Sequence, residues 1–138
     1  MSLVQWVLAI IAADAQPPRR RLPDRRQSVV VDVTFTNHRG EKRLLAIGYS
    51  WDVDGRIREL FCPTGAQNGS DIDLIIHDGC IAISRALQFG DRIADLARSF
   101  TKEPMDTPEG TVLGQSSVFG AIALTGAEIE ADLMGATP

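Results

Sequence analysis

The 138-residue sequence is poor in cysteine and lysine. It holds two cysteines, Cys62 and Cys80, which are too few for a disulfide framework and are typical of a reducing compartment. Of its fourteen basic residues, only Lys42 and Lys102 are lysine. This bias towards arginine favours planar, bidentate pairing with carboxylates or phosphates. The length is suited to one globular domain with a real core and is too short for two.

No apolar run in the sequence is long enough to span a bilayer. The run Val7 to Ala13 has seven residues, whereas a membrane-spanning helix needs roughly 20. The basic residues follow this run, which is the wrong order for a secretory signal. We therefore expect a cytoplasmic protein with a short apolar N-terminal helix. We expect this helix to dock on the domain or on a second copy through Trp6, Leu8, Ile10 and Ile11, or to attach to a membrane surface.

The charges are distributed unevenly along the chain. Residues 1–26 hold five Arg and two Asp, a net charge of +3, whereas residues 27–138 hold nine basic and sixteen acidic residues, a net charge of -7. An acidic body repels polyanions, so contacts with phosphate or nucleic acid would have to come from the N-terminal arginines. These candidate phosphate- or partner-binding residues are Arg19, Arg20, Arg21, Arg25 and Arg26.

Alternating apolar and polar residues predict three β-strands, at 29–36, 42–50 and 56–62. The dipeptide Asp54-Gly55 between the second and third of these is typical of a hairpin turn. Three strands joined by tight turns make a meander, and its apolar face needs a cover.

A helix is predicted to provide that cover; Ser70 is its expected N-cap, and it runs to about Phe89, where Gly90 stops it. Its predicted buried stripe comprises Ile72, Ile75, Ile76, Cys80, Ile83, Ala86 and Leu87. Its predicted polar side comprises Asp73, His77, Ser84 and Gln88. Leu74 and Ile81 lie among these polar residues, and they predict a second contact, either with a later helix or with a partner chain.

Two further helices are predicted. Asp91 is expected to cap a short one, and Ser117 to cap a last one from Val118 to about Leu133. Residues 101–116, which contain two Pro and two Gly, are predicted to be a loop. The fold class is thus α+β: a small antiparallel three-stranded meander covered on one face by helices, plus an N-terminal apolar helix.

Several segments, taken in order, resemble the TSCPD-domain family. They are RRRLPDRR at 19–26, DGRIRELF at 54–61, HDGCIAISRALQFG at 77–90 and SSVFGAIAL at 116–124. The signature that names the family is not written out here, and Val118 stands where many relatives have proline. The resemblance implies a domain at 19–134, preceded by an N-terminal helix and proline linker at 1–18 and followed by a tail at 135–138.

The same domain occurs at the C-terminus of ribonucleotide reductases. The resemblance therefore implies a non-catalytic binding module of a bacterium or phage, associated with ribonucleotide reductase and deoxynucleotide metabolism, with a reductase subunit or a nucleotide as partner. The reductase reaction needs a radical cysteine, two reducing cysteines and a nucleotide-binding barrel, so a chain of this size is not that enzyme alone. We predict no catalytic residue.

Two local patterns suggest other sites. Cys62, Asp73, His77 and Cys80 form a possible metal-ligand set, because His77 and Cys80 are three residues apart on one helix. Packing of both cysteines as small apolar side chains is the favoured alternative, and no cofactor is predicted. Gly65, Asn68, Gly69 and Ser70 form a possible anion loop, since they precede a helix N-terminus.

The arginines leave a second function open. They could act as an arm that binds nucleic acid, which would indicate a nucleic-acid-binding or phage-type regulatory protein. They could instead dock on an acidic partner or fold back on the acidic body. A small metal-binding protein is the third alternative. A homodimer is also expected, with Trp6, Leu74 and Ile81 as the candidate interface.

Overall fold

The computed structural model describes residues 2–14, 18–36, 40–63, 71–115 and 117–135. In these ranges the helices are α1 (Leu3–Asp14), α2 (Asp71–Gln88), α3 (Ile93–Ser99) and α4 (Val118–Gly135). The strands are β1 (Gln27–Thr36), β2 (Lys42–Trp51), β3 (Ile57–Phe61), β4 (Lys102–Thr107) and β5 (Gly110–Gln115). The predicted α+β class is confirmed.

Strands β1, β2 and β3 form an antiparallel sheet in that order. Side chains alternate between the two faces of a strand, and Val33, Ile47 and Tyr49 lie on the face that the helices cover, where each is at most 1% exposed. Gly55, with φ of 82°, lies in the turn between β2 and β3. The predicted meander and its turn are confirmed.

A β-bulge in β3 decides which of its side chains face the helices. Ser50 pairs with Glu59, but the next residue, Trp51, pairs with Ile57, so Arg58 is an extra residue in the ladder. Because of this insertion, Ile57 and Leu60 both reach the core although they are three residues apart.

Helix α2 lies along the open edge of β3, and this placement corrects the predicted orientation of the helix. Ile76, Cys80, Ile83 and Leu87 are buried as expected. Ser84 and Gln88, which were assigned to the polar side, are also buried, at 7% and 4% exposure. Two residues of the predicted buried stripe, Ile72 and Ile75, are exposed instead.

The physical reason is the unpaired backbone of an edge strand. The Leu60 N–H donates to Ser84 Oγ at 2.8 Å, and the Ser84 hydroxyl lies 3.0 Å from the Leu60 carbonyl oxygen. Gln88 Nε2 donates to the Arg58 carbonyl oxygen at 3.2 Å. Buried backbone groups need hydrogen-bond partners, so the helix turns the polar side chains of Ser84 and Gln88 towards the strand.

Helices α3 and α4 complete the core. Tyr49 Oη donates to the Ile122 carbonyl oxygen at 2.7 Å, which joins β2 to α4. Glu130 of α4 is 6% exposed, and its carboxylate accepts from the Ile57 N–H at 2.8 Å and from Arg56 Nη1 at 3.2 Å. A buried carboxylate with two such donors is satisfied.

Two local predictions after α2 are wrong. Residues 102–115 form the hairpin of β4 and β5 instead of a loop, because an isolated hairpin tolerates Pro104, which has no N–H to donate. Arg92, rather than Asp91, is the N-cap residue of α3, and no side chain among the described residues caps this helix. The predicted cap of α4 is confirmed, since Ser117 Oγ accepts from the Gly120 N–H at 3.0 Å.

Helix α1 begins with a capping box. Ser2 Oγ accepts from the Gln5 N–H, and Gln5 Oε1 accepts from the Ser2 N–H. Every side chain from Ser2 to Ile11 is exposed, so the expected docking of Trp6 on the domain is not seen in the described residues. None of the helices in the described ranges is long and apolar enough to cross a membrane.

We expect Ser84→Ala to lower the free energy of unfolding by about 1–3 kcal/mol, because it leaves the buried Leu60 N–H without an acceptor. Urea denaturation measures the loss. Ser99→Ala is the matched control, since the Ser99 hydroxyl also bonds to a backbone carbonyl but is exposed. Equal effects of the two substitutions would contradict this role for Ser84.

Candidate anion-binding surface

Residues 18–26, called the arginine segment below, are fixed to the domain at two points. At the first, the Arg20 N–H donates to the Gln88 carbonyl oxygen at 2.9 Å, and Arg19 Nε donates to Gln88 Oε1 at 2.6 Å. At the second, Arg26 forms two hydrogen bonds from Nη2 to the Glu59 carboxylate, at 2.8 and 3.1 Å. The segment therefore packs on α2 and β3, and the side chains of Arg19 and Arg26 and the backbone of Arg20 are held in place.

Three clefts surround the arginine segment. The polar cleft, of about 570 Å³, lies towards β3 and α2 and has Arg19, Arg26, Glu59 and Ser84 in its wall. The tryptophan groove, of about 610 Å³, has Arg20, Arg21, Arg25, Trp51 and Arg58 in its wall. The helix-end cleft, of about 310 Å³, lies beside the end of α2 and has Arg20, Arg56, Arg58 and Arg92 in its wall.

Some of these arginines are already neutralised. Arg58 Nε donates to Asp52 Oδ2 at 3.0 Å, and its Nη1 donates to the Leu87 carbonyl oxygen at 2.9 Å. Arg56 pairs with Glu130, as described above. These residues act as fixed donors that shape the clefts, since their charge is already balanced.

Other arginines around the segment have no such partner. Within the described ranges, the guanidinium groups of Arg20, Arg21, Arg25 and Arg92 form neither an ion pair nor a hydrogen bond. Desolvation, followed by the positive charges of Arg21 and Arg85, lowers the pKa of Arg19. Positive charge is thus concentrated on one face of an acidic protein, and a bound anion would offset the repulsion.

Asp52 is the acidic residue that shapes the tryptophan groove. Desolvation opposes its ionisation, but its hydrogen bonds outweigh this effect and lower its pKa; the donors are the Arg56 N–H, the Arg58 side chain and the Asp54 N–H. Asp52 therefore stays ionised and holds both the β2–β3 turn and the Arg58 side chain.

The proposed metal ligands are not assembled. No group of three or more His, Cys, Asp or Glu side chains suited to a metal ion occurs in the part of the chain that the structure describes. Burial, then the charge of Cys62 and a hydrogen bond with it, raises the pKa of Cys80 to about 12. The packing role of Cys80 is what its burial supports.

The other predicted residues fall into two groups. The anion loop of Gly65, Asn68, Gly69 and Ser70 lies outside the described residues. The interface candidates Trp6, Leu74 and Ile81 are 58%, 47% and 49% exposed.

Sequence reasoning missed Trp51, Arg56, Arg58 and Arg92 as members of the surface. A signal for two of them was present, because Arg56 and Arg58 flank Ile57 within the segment DGRIRELF. The contact of Arg58 with the arginine segment depends on the position of Gln88, which was predicted to lie on the polar side of α2.

No family model, no curated protein and no solved structure matches the chain. The fold and the surface define an α+β domain that carries a candidate anion-binding face, built from the arginine segment, the end of α2 and the β2–β3 turn.

We expect Asp52→Asn to lower the free energy of unfolding at neutral pH and to have little effect in acid. The pKa of Asp52 lies below its ordinary value of 3.8, so its contribution is complete well above that value and is lost as the pH falls through the lowered folded-state value. Denaturation of both proteins across a pH series measures the difference.

Asp54→Asn is the matched control for this substitution. The Asp54 carboxylate lies in the same turn, and no hydrogen bond to it is formed within the described ranges. A stability difference between the wild type and Asp52→Asn that did not change with pH would contradict the assignment.

Proposed function

We propose that the chain is a non-catalytic TSCPD-like binding module that is associated with ribonucleotide reductase and holds a phosphate-bearing ligand on its arginine surface. The resemblance of the ordered segments supports the association with deoxynucleotide metabolism. The observation that carries the ligand class is the group of Arg20, Arg21 and Arg25, which line one groove without an acidic partner in the described part of the chain.

Electrostatics supports this ligand class. A guanidinium on a protein surface is ordinarily solvated or paired, and three unpaired ones beside a cleft repel one another. Phosphate oxygens accept two parallel hydrogen bonds from each guanidinium, which is the strongest arrangement available to arginine. The remaining acidic body disfavours a polyanion elsewhere on the protein, so binding would be confined to this face.

The proposal assigns no reaction to the chain. Ribonucleotide reduction requires a cysteine that forms a radical and a pair that supplies electrons, and this sequence has two cysteines in all. One of them, Cys80, is 1% exposed in the core. A supporting role beside the enzyme fits this chemistry better than catalysis does.

The first test measures the affinity for inorganic tripolyphosphate by calorimetry at two salt concentrations. We expect the triple variant Arg20→Gln, Arg21→Gln, Arg25→Gln to bind at least ten times more weakly than the wild type, because it removes the unpaired charges of the groove. The matched control is Lys42→Gln, Arg43→Gln, Arg98→Gln, which removes three basic residues that line none of the three clefts.

The control variant should bind as the wild type does, and the affinity should fall as salt rises. An equal loss in both triple variants would show that net charge alone is responsible, and it would overturn the site. Absence of any binding by the wild type would do the same.

The second test addresses the partner. We expect the chain to form a complex with the purified ribonucleotide reductase of its own organism in analytical ultracentrifugation. If the sedimentation coefficient of the reductase does not change when the chain is added, with or without nucleotide, the association is overturned. The anion site is decided separately by the first test.

A further inference from the structure

We propose that the tryptophan groove binds a single nucleotide, with the base against Trp51 and the phosphates on Arg20 and Arg21. This inference rests on the proposed function and names the ligand of the same site. A site for phosphate alone would need only the arginines. It would not account for the apolar side chains of Leu22, Pro23, Trp51 and Val53, which line the same groove.

The groove is lined by two chemically different kinds of side chain. Leu22, Pro23, Trp51 and Val53 are apolar, whereas Arg20, Arg21 and Arg25 are basic and form no ion pair within the described ranges. Its volume of about 610 Å³ lies in the range of small-ligand sites. A nucleotide combines the same two kinds of group, since one small molecule carries a flat aromatic base and charged phosphates.

The Trp51 side chain is prepared for stacking. Its Nε1–H donates to Gln27 Oε1 at 2.8 Å, so the indole is held in place and its one hydrogen-bond donor is already used. The indole is half-buried against the core, and the part of it that lines the groove offers a ligand π surface, which stacks on any base. Trp51 follows the irregular step in the β2–β3 ladder, and such bulges redirect side chains next to functional sites.

The basic part of the tryptophan groove adjoins the helix-end cleft. Arg20 and Arg58 line both the tryptophan groove and the helix-end cleft. Arg58 is held by Asp52 and by the Leu87 carbonyl oxygen, so it is a fixed boundary between the two. The helix-end cleft adds Arg92, which forms no ion pair within the described ranges, to the basic residues beside Arg20.

A single nucleotide fits this surface better than a nucleic-acid strand. Strand-binding surfaces carry a series of aromatic residues on which successive bases stack. The described wall of the tryptophan groove contains one aromatic residue, Trp51. The net charge of -7 on residues 27–138 would also repel phosphates that extend beyond the arginines.

The test uses a Trp6→Phe background, in which Trp51 is the only tryptophan of the full chain. Binding of ATP, dATP, adenosine and tripolyphosphate is measured by calorimetry and by the fluorescence of Trp51. We expect both nucleotides to bind about ten times more tightly than tripolyphosphate and to quench Trp51, because stacking adds to the phosphate contacts.

Substitutions of Trp51 and of the arginines separate the contribution of base stacking from that of phosphate binding. Trp51→Leu should weaken nucleotide binding about tenfold and leave tripolyphosphate binding unchanged, whereas Trp51→Tyr should restore most of the nucleotide affinity. Arg20→Gln with Arg21→Gln should weaken both ligands. Should Trp51→Leu fail to fold, quenching in the parent protein and the affinity of the Trp51→Tyr variant decide the question.

Three outcomes would overturn the inference. If ATP and tripolyphosphate bound with equal affinity and did not quench the fluorescence of Trp51, the phosphate site would stand and the base site would be contradicted. An affinity for oligodeoxythymidylate that grows with length beyond one nucleotide would assign the groove to a single strand instead. Failure of every phosphate-bearing ligand to bind would also remove the proposed anion site, so the two failures are distinguishable.

Discussion

Gln88 makes the hydrogen bonds on which the candidate site depends. Its Nε2 donates to the carbonyl oxygen of Arg58 in the edge strand, its Oε1 accepts from Arg19 Nε, and its backbone carbonyl accepts from the Arg20 N–H. One residue at the end of α2 thereby joins the helix, the bulged strand and the arginine segment. The side chain is 4% exposed, so these polar groups are satisfied by protein rather than by water.

The surface combines two kinds of arginine. Arg26, Arg56 and Arg58 each pair with a carboxylate, and they hold the segment and the turn in position. Arg20 and Arg21 form no such pair within the described ranges and keep their charge available for a ligand. The paired arginines hold the shape of the surface, and the arginines without an ion pair in the described ranges give it a positive electrostatic potential. A protein with a net charge of -4 can therefore still present a cationic face.

The sequence predicted the elements that follow from local chemistry. The alternation in β1 and β2, the turn at Gly55 and the Ser117 cap each depend on residues close together in the chain. The rotation of α2 could not be predicted in this way, since Ser84 and Gln88 are buried only because β3 has an open edge. The β4–β5 hairpin was missed because Pro104 disfavours a strand locally, and the pairing of its backbone outweighs that preference.

The same distinction applies to the candidate site. The arginines of the segment could be read from composition and charge, and their contact with Gln88 could not. Trp51 was unassigned because its partner Gln27 and the bulge at Arg58 are tertiary features. Candidate residues that are singled out by their own charge can be predicted from sequence, whereas candidates that are singled out by their position appear only in the folded chain.

The contact between Arg19 and Gln88 joins residues 69 positions apart. Closing a loop of this length has an entropic cost that must be met before the contact can stabilise anything. The sheet and α2 lie within that loop, so they have to be in place before the arginine segment can dock. The candidate anion-binding face is therefore expected to form late in folding, and a partly folded chain would expose the same arginines without their docked geometry.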